Sequence, residues 1–285
     1  MPKSWGSVAR KGAKLLSVSG QGTFEDHRSL KAPAAPDLWV REHKADVARE
    51  ADGAASRRPQ AELPGDLMAA IRNAGASLTT RGRERLVTLT AEAVEAYNRG
   101  RYEEAARRIS PVAEVAPRVT AVREIAGLAN YRSGSWRAAA AHLRAHHDLS
   151  GDVSHLPAVM DCERALKHPR TVIKFYNQVR AASPSPEVLS EARIVMAASL
   201  AERGDLEGAI ALLLEAGTGR RVRNPADRHV RQWYVLGDLY ERSGDAPKAR
   251  DYFARVAEAD PGAFDVDERL EELGGRARST RSKAR

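Results

Sequence analysis

The chain has 285 residues, of which 42% are hydrophobic; that is enough to bury a sizeable core and excludes disorder throughout. Aromatic residues make up only 5%, leaving few platforms for stacking bases, while abundant Ala and Arg favour helix. The net charge of +8 is unevenly placed: residues 1–75 hold 12 basic and 9 acidic side chains, residues 76–273 hold 29 of each, and residues 274–285 hold 5 basic and no acidic ones. The body is neutral and the basic character belongs to the ends.

A single cysteine, Cys162, excludes an internal disulfide framework and a cysteine-based structural zinc site, and fits a reducing cytoplasm. Near the start, the only apolar stretch, Leu15-Leu16-Ser17-Val18, is too short for a signal-peptide core, and no later run reaches the length of a membrane span. A cytoplasmic protein is expected.

Residues 7–64 mix Gly, Ser, Pro and charges without a sustained apolar period, so 1–75 is expected to be a mostly disordered basic segment. Two islands within it suggest short helices: 37–51, with Trp39 and Val40, and 67–71, after Pro64. Trp39 and Val40 also raise the idea that this segment folds back onto the body. From about Leu86 the text becomes Ala-rich amphipathic segments of ten to fourteen residues, punctuated by turns centred on Gly100, Gly134, His168, Gly204 and Gly244. Their spacings are 34, 34, 36 and 40 residues.

Period and wording together resemble the tetratricopeptide repeat, whose pattern is Trp-x2-Leu-Gly-x2-Tyr, then Ala-x3-Phe, then Pro. The last unit carries Trp233, Leu236, Gly237, Tyr240, Gly244, Ala249, Phe253 and Pro261 in that register. Gly237 opposite Ala249 would let the two helices of a hairpin approach closely, and Pro261 would end the second. Units one, two and four repeat the logic around Ala93/Ala105, Ala126/Gly127/Ala139 and Ala197/Ala209. In unit three, His168 and Pro169 replace the turn Gly and Val172 the small packing Ala, which predicts a splayed hairpin. The resemblance implies an all-α fold, a right-handed α-α superhelix (TPR solenoid) of about five helix pairs over 76–273. Residues 266–273 would form the C-terminal capping helix the open end needs, and 274–285 a disordered basic tail. The wording around 121–127 and 160–164 is further similar to a group of tetratricopeptide-repeat proteins from high-GC Gram-positive bacteria, which implies a bacterial source and no particular activity.

Several candidates for chemistry fall away. His142 and His146 are four apart, with His147, Asp148 and His155 near, but no catalytic Glu stands between the pair and His146 falls at a packing position. Cys162 lies between Asp161 and Glu163, an electronegative setting for a nucleophile. Gly20-Gln21-Gly22 lacks a preceding strand and a third Gly, and no Walker lysine loop or serine elbow is present. No enzyme, metal or cofactor is expected.

The function expected from the resemblance is a protein-binding scaffold, with a peptide held in a groove lined by the first helices of successive pairs. Carried over residue by residue, its outward positions are Asn98, Glu124, Tyr131, Arg132, Asp161, Arg164, Glu191, Glu202, Tyr234, Asp238, Glu241 and Arg242. The carboxylate clamp of chaperone-binding members is missing, with Thr90, Val94 and Ile125 at the corresponding places. The alternative is a ribosome- or nucleic-acid-associated protein. It would use the loop and helix start bearing Arg220, Arg221, Arg223, Arg228 and Arg231, and the tail residues Arg276, Arg278, Arg281, Lys283 and Arg285.

Overall fold

In the computed structural model the described residues are 61–282, with side chains described to Gly274. The island expected at 37–51, and any folding back of that segment, lie outside them. Among the described residues there are twelve helices and no strand. A single helix, α1 (Gly65–Ala74), is followed by five hairpins: α2 (Thr80–Asn98) with α3 (Tyr102–Val115), α4 (Thr120–Arg132) with α5 (Trp136–Ser150), α6 (Leu156–Ala165) with α7 (Pro169–Ala182), α8 (Pro186–Glu202) with α9 (Leu206–Glu215), and α10 (Asp227–Arg242) with α11 (Ala246–Ala259). A last helix, α12 (Val266–Ser282), closes the row. Each helix packs on the next, and first helices also meet one another, α2 with α4, α6 with α8 and α8 with α10. The core is accordingly a succession of three clusters instead of one centre.

The hairpin turns explain the period. Two residues before each second helix the backbone turns left-handed, at Gly100, Gly134, Gly204 and Gly244, with φ of 76°, 84°, 89° and 85°. In every hairpin the next amide reaches back to the first helix: Arg101 to Ala96 O, Ser135 to Asn130 O, His168 to Glu163 O, Asp205 to Leu200 O and Asp245 to Tyr240 O, at 2.8 to 3.1 Å. The third hairpin therefore keeps the common turn, and α6 and α7 pack against each other. Its left-handed residue is Lys167, φ 63°, and Pro169 opens α7, where a proline needs no amide partner. The expected splaying is corrected by that geometry.

The close approach in the last hairpin also differs from expectation. A Cβ on Gly237 would stand 2.7 Å from the Phe253 ring, which is its nearest neighbour in place of Ala249. Gly127 repeats this three hairpins earlier, where a Cβ would stand 2.4 Å from Leu143 Cδ2. Trp233, Leu236, Tyr240, Ala249 and Phe253 are buried around this contact, and α11 ends at Ala259, two residues before Pro261.

Both ends of the row are covered. Ile71 and Leu67 of α1 are buried against α2, so the packed body begins ahead of residue 76. At the other end Val266 and Leu273 bury one side of α12 on α11. The α12 backbone runs on to Ser282 instead of giving way to coil at 274, in keeping with the helix-favouring Arg-Ala-Arg text beyond the two glycines.

Candidate partner-binding face

Of the positions expected to face outward on the first helices, Glu124, Tyr131, Asp161, Arg164, Glu191, Tyr234 and Asp238 are buried. They are spent on contacts inside the body, most of them across a boundary between helix pairs. Glu124 on α4 meets His155 Nε2, at the start of α6, at 3.0 Å. Tyr131 on α4 donates its hydroxyl to Asp161 on α6 at 2.8 Å. Arg164 grips Asp161 through Nε and Nη2, at 2.9 and 2.7 Å, and reaches Glu202 on α8 with Nη1. Arg269 on α12 bridges Asp238 at 2.7 Å and Glu241 at 3.0 Å on α10, and Tyr234 donates to Asp265. Polar residues buried at a seam are tolerated where they are paired, as these are.

The electrostatics follow. Burial works against the Arg164 charge, but Asp161 and Glu202 more than restore it and raise its pKa. Burial pushes the Tyr97 phenol up to about 12 and raises that of Tyr234 further, aided by its bond to Asp265. Glu191 is the weak rung. Its carboxylate comes within 2.5 Å of Arg231 Nη1, yet the approach is misaligned and neither carboxylate oxygen has a hydrogen-bond partner. Burial pushes its pKa up to about 7, against the pull of Arg231, with Asp227 and Asp161 adding to the rise.

The remaining groove positions lie at the C-terminal ends of their helices. Asn98, Arg132, Glu202 and Arg242 are the last residues of α2, α4, α8 and α10; Asn98, Glu202 and Arg242 are exposed, and Arg132 is half-buried beside Tyr102, its guanidinium 4.5 Å from the ring centre. Glu241 is half-buried next to Arg242.

The arginine-rich stretch divides. Arg220, Arg221 and Arg223 are exposed, and Arg221 approaches Asp251 at 3.5 Å. Arg228 pairs with Glu187 at 2.6 Å, and Arg231 turns inward to Glu191 and Asp227. Arg231 is thus withdrawn from any basic surface, because α10 presents that side to α8. Arg276, Arg278 and Arg281 fall on the α12 backbone with side chains outside those described, and Lys283 and Arg285 lie outside the described residues altogether.

The histidines are held separately by local partners, although the rings of His146 and His155 pack edge to face at 5.4 Å. His142 Nδ1 meets Arg123 at 3.0 Å, His146 Nδ1 the Thr120 carbonyl at 3.1 Å, and His147 Nδ1 the Asp152 carbonyl at 2.9 Å. Among the described residues no three His, Cys, Asp or Glu side chains form a metal-holding group. Cys162 is fully buried, and burial together with Asp161 and Glu163 pushes its thiol pKa up, away from the reactive thiolate. No helix among the described residues is long and apolar enough to cross a membrane.

Helix pairs of this period, turn and packing define an α-helical repeat solenoid. Residues 90–152 and 194–264 match the family model of the tetratricopeptide repeat, so the chain carries tetratricopeptide repeats in these two stretches. The stretch between the matches holds α6 and α7, whose turn lacks glycine. Nine solved chains match. One is YrrB, "a TPR protein with an unusual peptide-binding site", at 15% identity and a TM-score of 0.43, covering 67% of this chain and 94% of that one. No curated protein matches.

Proposed function

We propose that this solenoid is a scaffold that holds a protein or peptide partner along its first helices, with the basic ends tethering or orienting it. The observation that supports this reading is the set formed by Asn98, Arg132, Glu202 and Arg242, equivalent last residues of the first helices of four repeats, three of them exposed and Arg132 half-buried. A row of mixed charge suits a polar segment whose side chains recur at the spacing of the repeats. The buried rungs beneath it hold the repeats in fixed register, so the row is presented rigidly and little ordering is needed on binding.

The test is capture from native lysate by the full chain and by the double variant Asn98→Ala/Glu202→Ala, each washed at low and high salt and treated with nuclease. The expected result is one discrete protein retained through salt and nuclease and lost with the double variant. Recovery of material that salt or nuclease removes, equally from both baits, would overturn the proposal.

A further inference from the structure

A cavity of about 270 Å³ opens at the edge of the solenoid where α8 and α10 begin and α9 ends. It exists because the connection between α9 and α10 is longer than the others and folds back over the starts of both first helices. Its polar lining comes from three elements: Ser190 and Arg193 from α8, Thr218 and Arg220 from the connection, and Arg228 and Gln232 from α10. No acidic side chain lines it. Glu187 satisfies Arg228 from outside the cavity, whereas Arg193 and Arg220 make no ion pair among the described residues.

Two features mark the cavity as more than a basic surface. Ser190 is 2% exposed, and its hydroxyl has no hydrogen-bond partner among the described residues. A helical serine ordinarily returns its hydroxyl to a carbonyl one turn back, so a buried orphan at a cavity wall is a donor left for something else. The connection is also anchored. Thr218 is buried, donates its hydroxyl to the Gln232 side-chain oxygen at 3.1 Å, and accepts from Trp233 Nε1 on its carbonyl at 2.9 Å. With its oxygen occupied, Gln232 retains its amide N–H groups as donors. Burial, and then the neighbouring Arg228 charge, hold the His229 imidazole below its usual range.

We infer that this cavity is a binding site for a phosphate monoester on a short aliphatic stem, with Arg193, Arg220 and Arg228 facing the dianion and Ser190 donating to one of its oxygens. Planar guanidinium forks match phosphate oxygens in pairs, and the starts of α8 and α10 add the positive ends of two helices. Pro184 and Leu189 line the cavity with apolar surface for the stem. The volume falls below the roughly 300 Å³ at which sites for drug-sized ligands begin, which restricts the occupant to one small group. The site shares no residue with the row Asn98, Arg132, Glu202 and Arg242, so it stands or falls separately from the proposed scaffold role.

The same chemistry occurs in a free phosphate ester and in the phosphoserine of a peptide. The test titrates the full chain with ethyl phosphate, with the capped tripeptide Ala-phosphoserine-Ala, with the unphosphorylated tripeptide and with ethyl sulfate, following amide shifts by NMR. Saturable binding of ethyl phosphate or the phosphopeptide is expected, with ethyl sulfate much weaker and the plain tripeptide silent. Arg193→Gln and Arg220→Gln should each weaken it by about tenfold, as expected for a lost charge-assisted hydrogen bond. Tighter binding of the phosphopeptide identifies a protein source, and equal affinity a free ester. Absence of saturation, equal binding of ethyl sulfate, or unchanged affinity in both variants overturns the inference. Arg220 is exposed, so its variant serves even where Arg193→Gln disturbs folding.

Discussion

Tyr131 of the second repeat donates to Asp161 of the third across 2.8 Å, and the same carboxylate is clasped by Arg164. Removing different members of this cluster should have unequal effects. Tyr131→Phe deletes one hydrogen bond and should cost about 1 kcal/mol. Asp161→Ala leaves the buried Arg164 with only Glu202 and should cost about 3 to 5 kcal/mol. Denaturant midpoints at constant m-value measure both, and equal losses would mean that the carboxylate does not hold the seam.

Gly237→Ala should destabilise although alanine favours helix by about 1 kcal/mol. The new methyl would enter the space of the Phe253 ring, at 2.7 Å, and overpacking of this kind costs about 1 to 3 kcal/mol. Pairing it with Phe253→Leu should recover part of the loss, which a double-mutant cycle reads directly.

Lys167 adopts the left-handed turn that glycine fills in the other hairpins. Lys167→Gly should therefore stabilise by about 1 kcal/mol, the relief of a left-handed backbone strained by a Cβ, less the entropy that glycine returns to the unfolded chain. A thermal melt that moves down would refute this.

Glu191 gives the protein a signed pH dependence. Its folded pKa, about 7, lies above its ordinary value of 4.5, so between these values the folded state binds the extra proton. Stability through this group is complete below about pH 4.5 and is lost as pH rises to about 7. The wild-type profile minus that of Glu191→Gln should slope downward across that window. A flat difference would mean that Arg231 keeps the carboxylate ionised after all.

The sequence made the repeats legible because turn glycines and small packing residues are local and recur at a fixed interval. Three things were hidden. Lys167 bears a left-handed turn with no residue type to announce it, and only the backbone shows it. The partner of Gly237 is fixed by how the helices rotate about each other, so Phe253 could not be told from Ala249 by spacing. Most consequentially, Glu124, Asp161, Glu191 and Asp238 are placed outward by carrying the family's groove positions over, whereas each has a partner about 30 to 40 residues away on a neighbouring helix pair or on the last helix. Charge alone does not say whether a helix face meets water or its complement.

The proposed partner lies along the accessible ends of the first helices. A photo-crosslinking residue placed singly at Asn98, at Glu202 or at Lys174, an exposed position on the second helix α7, tests it in the native cell. One protein adduct of the same mass is expected from Asn98 and Glu202, and none from Lys174. Adducts from Lys174 alone, or from none of the three, would contradict it.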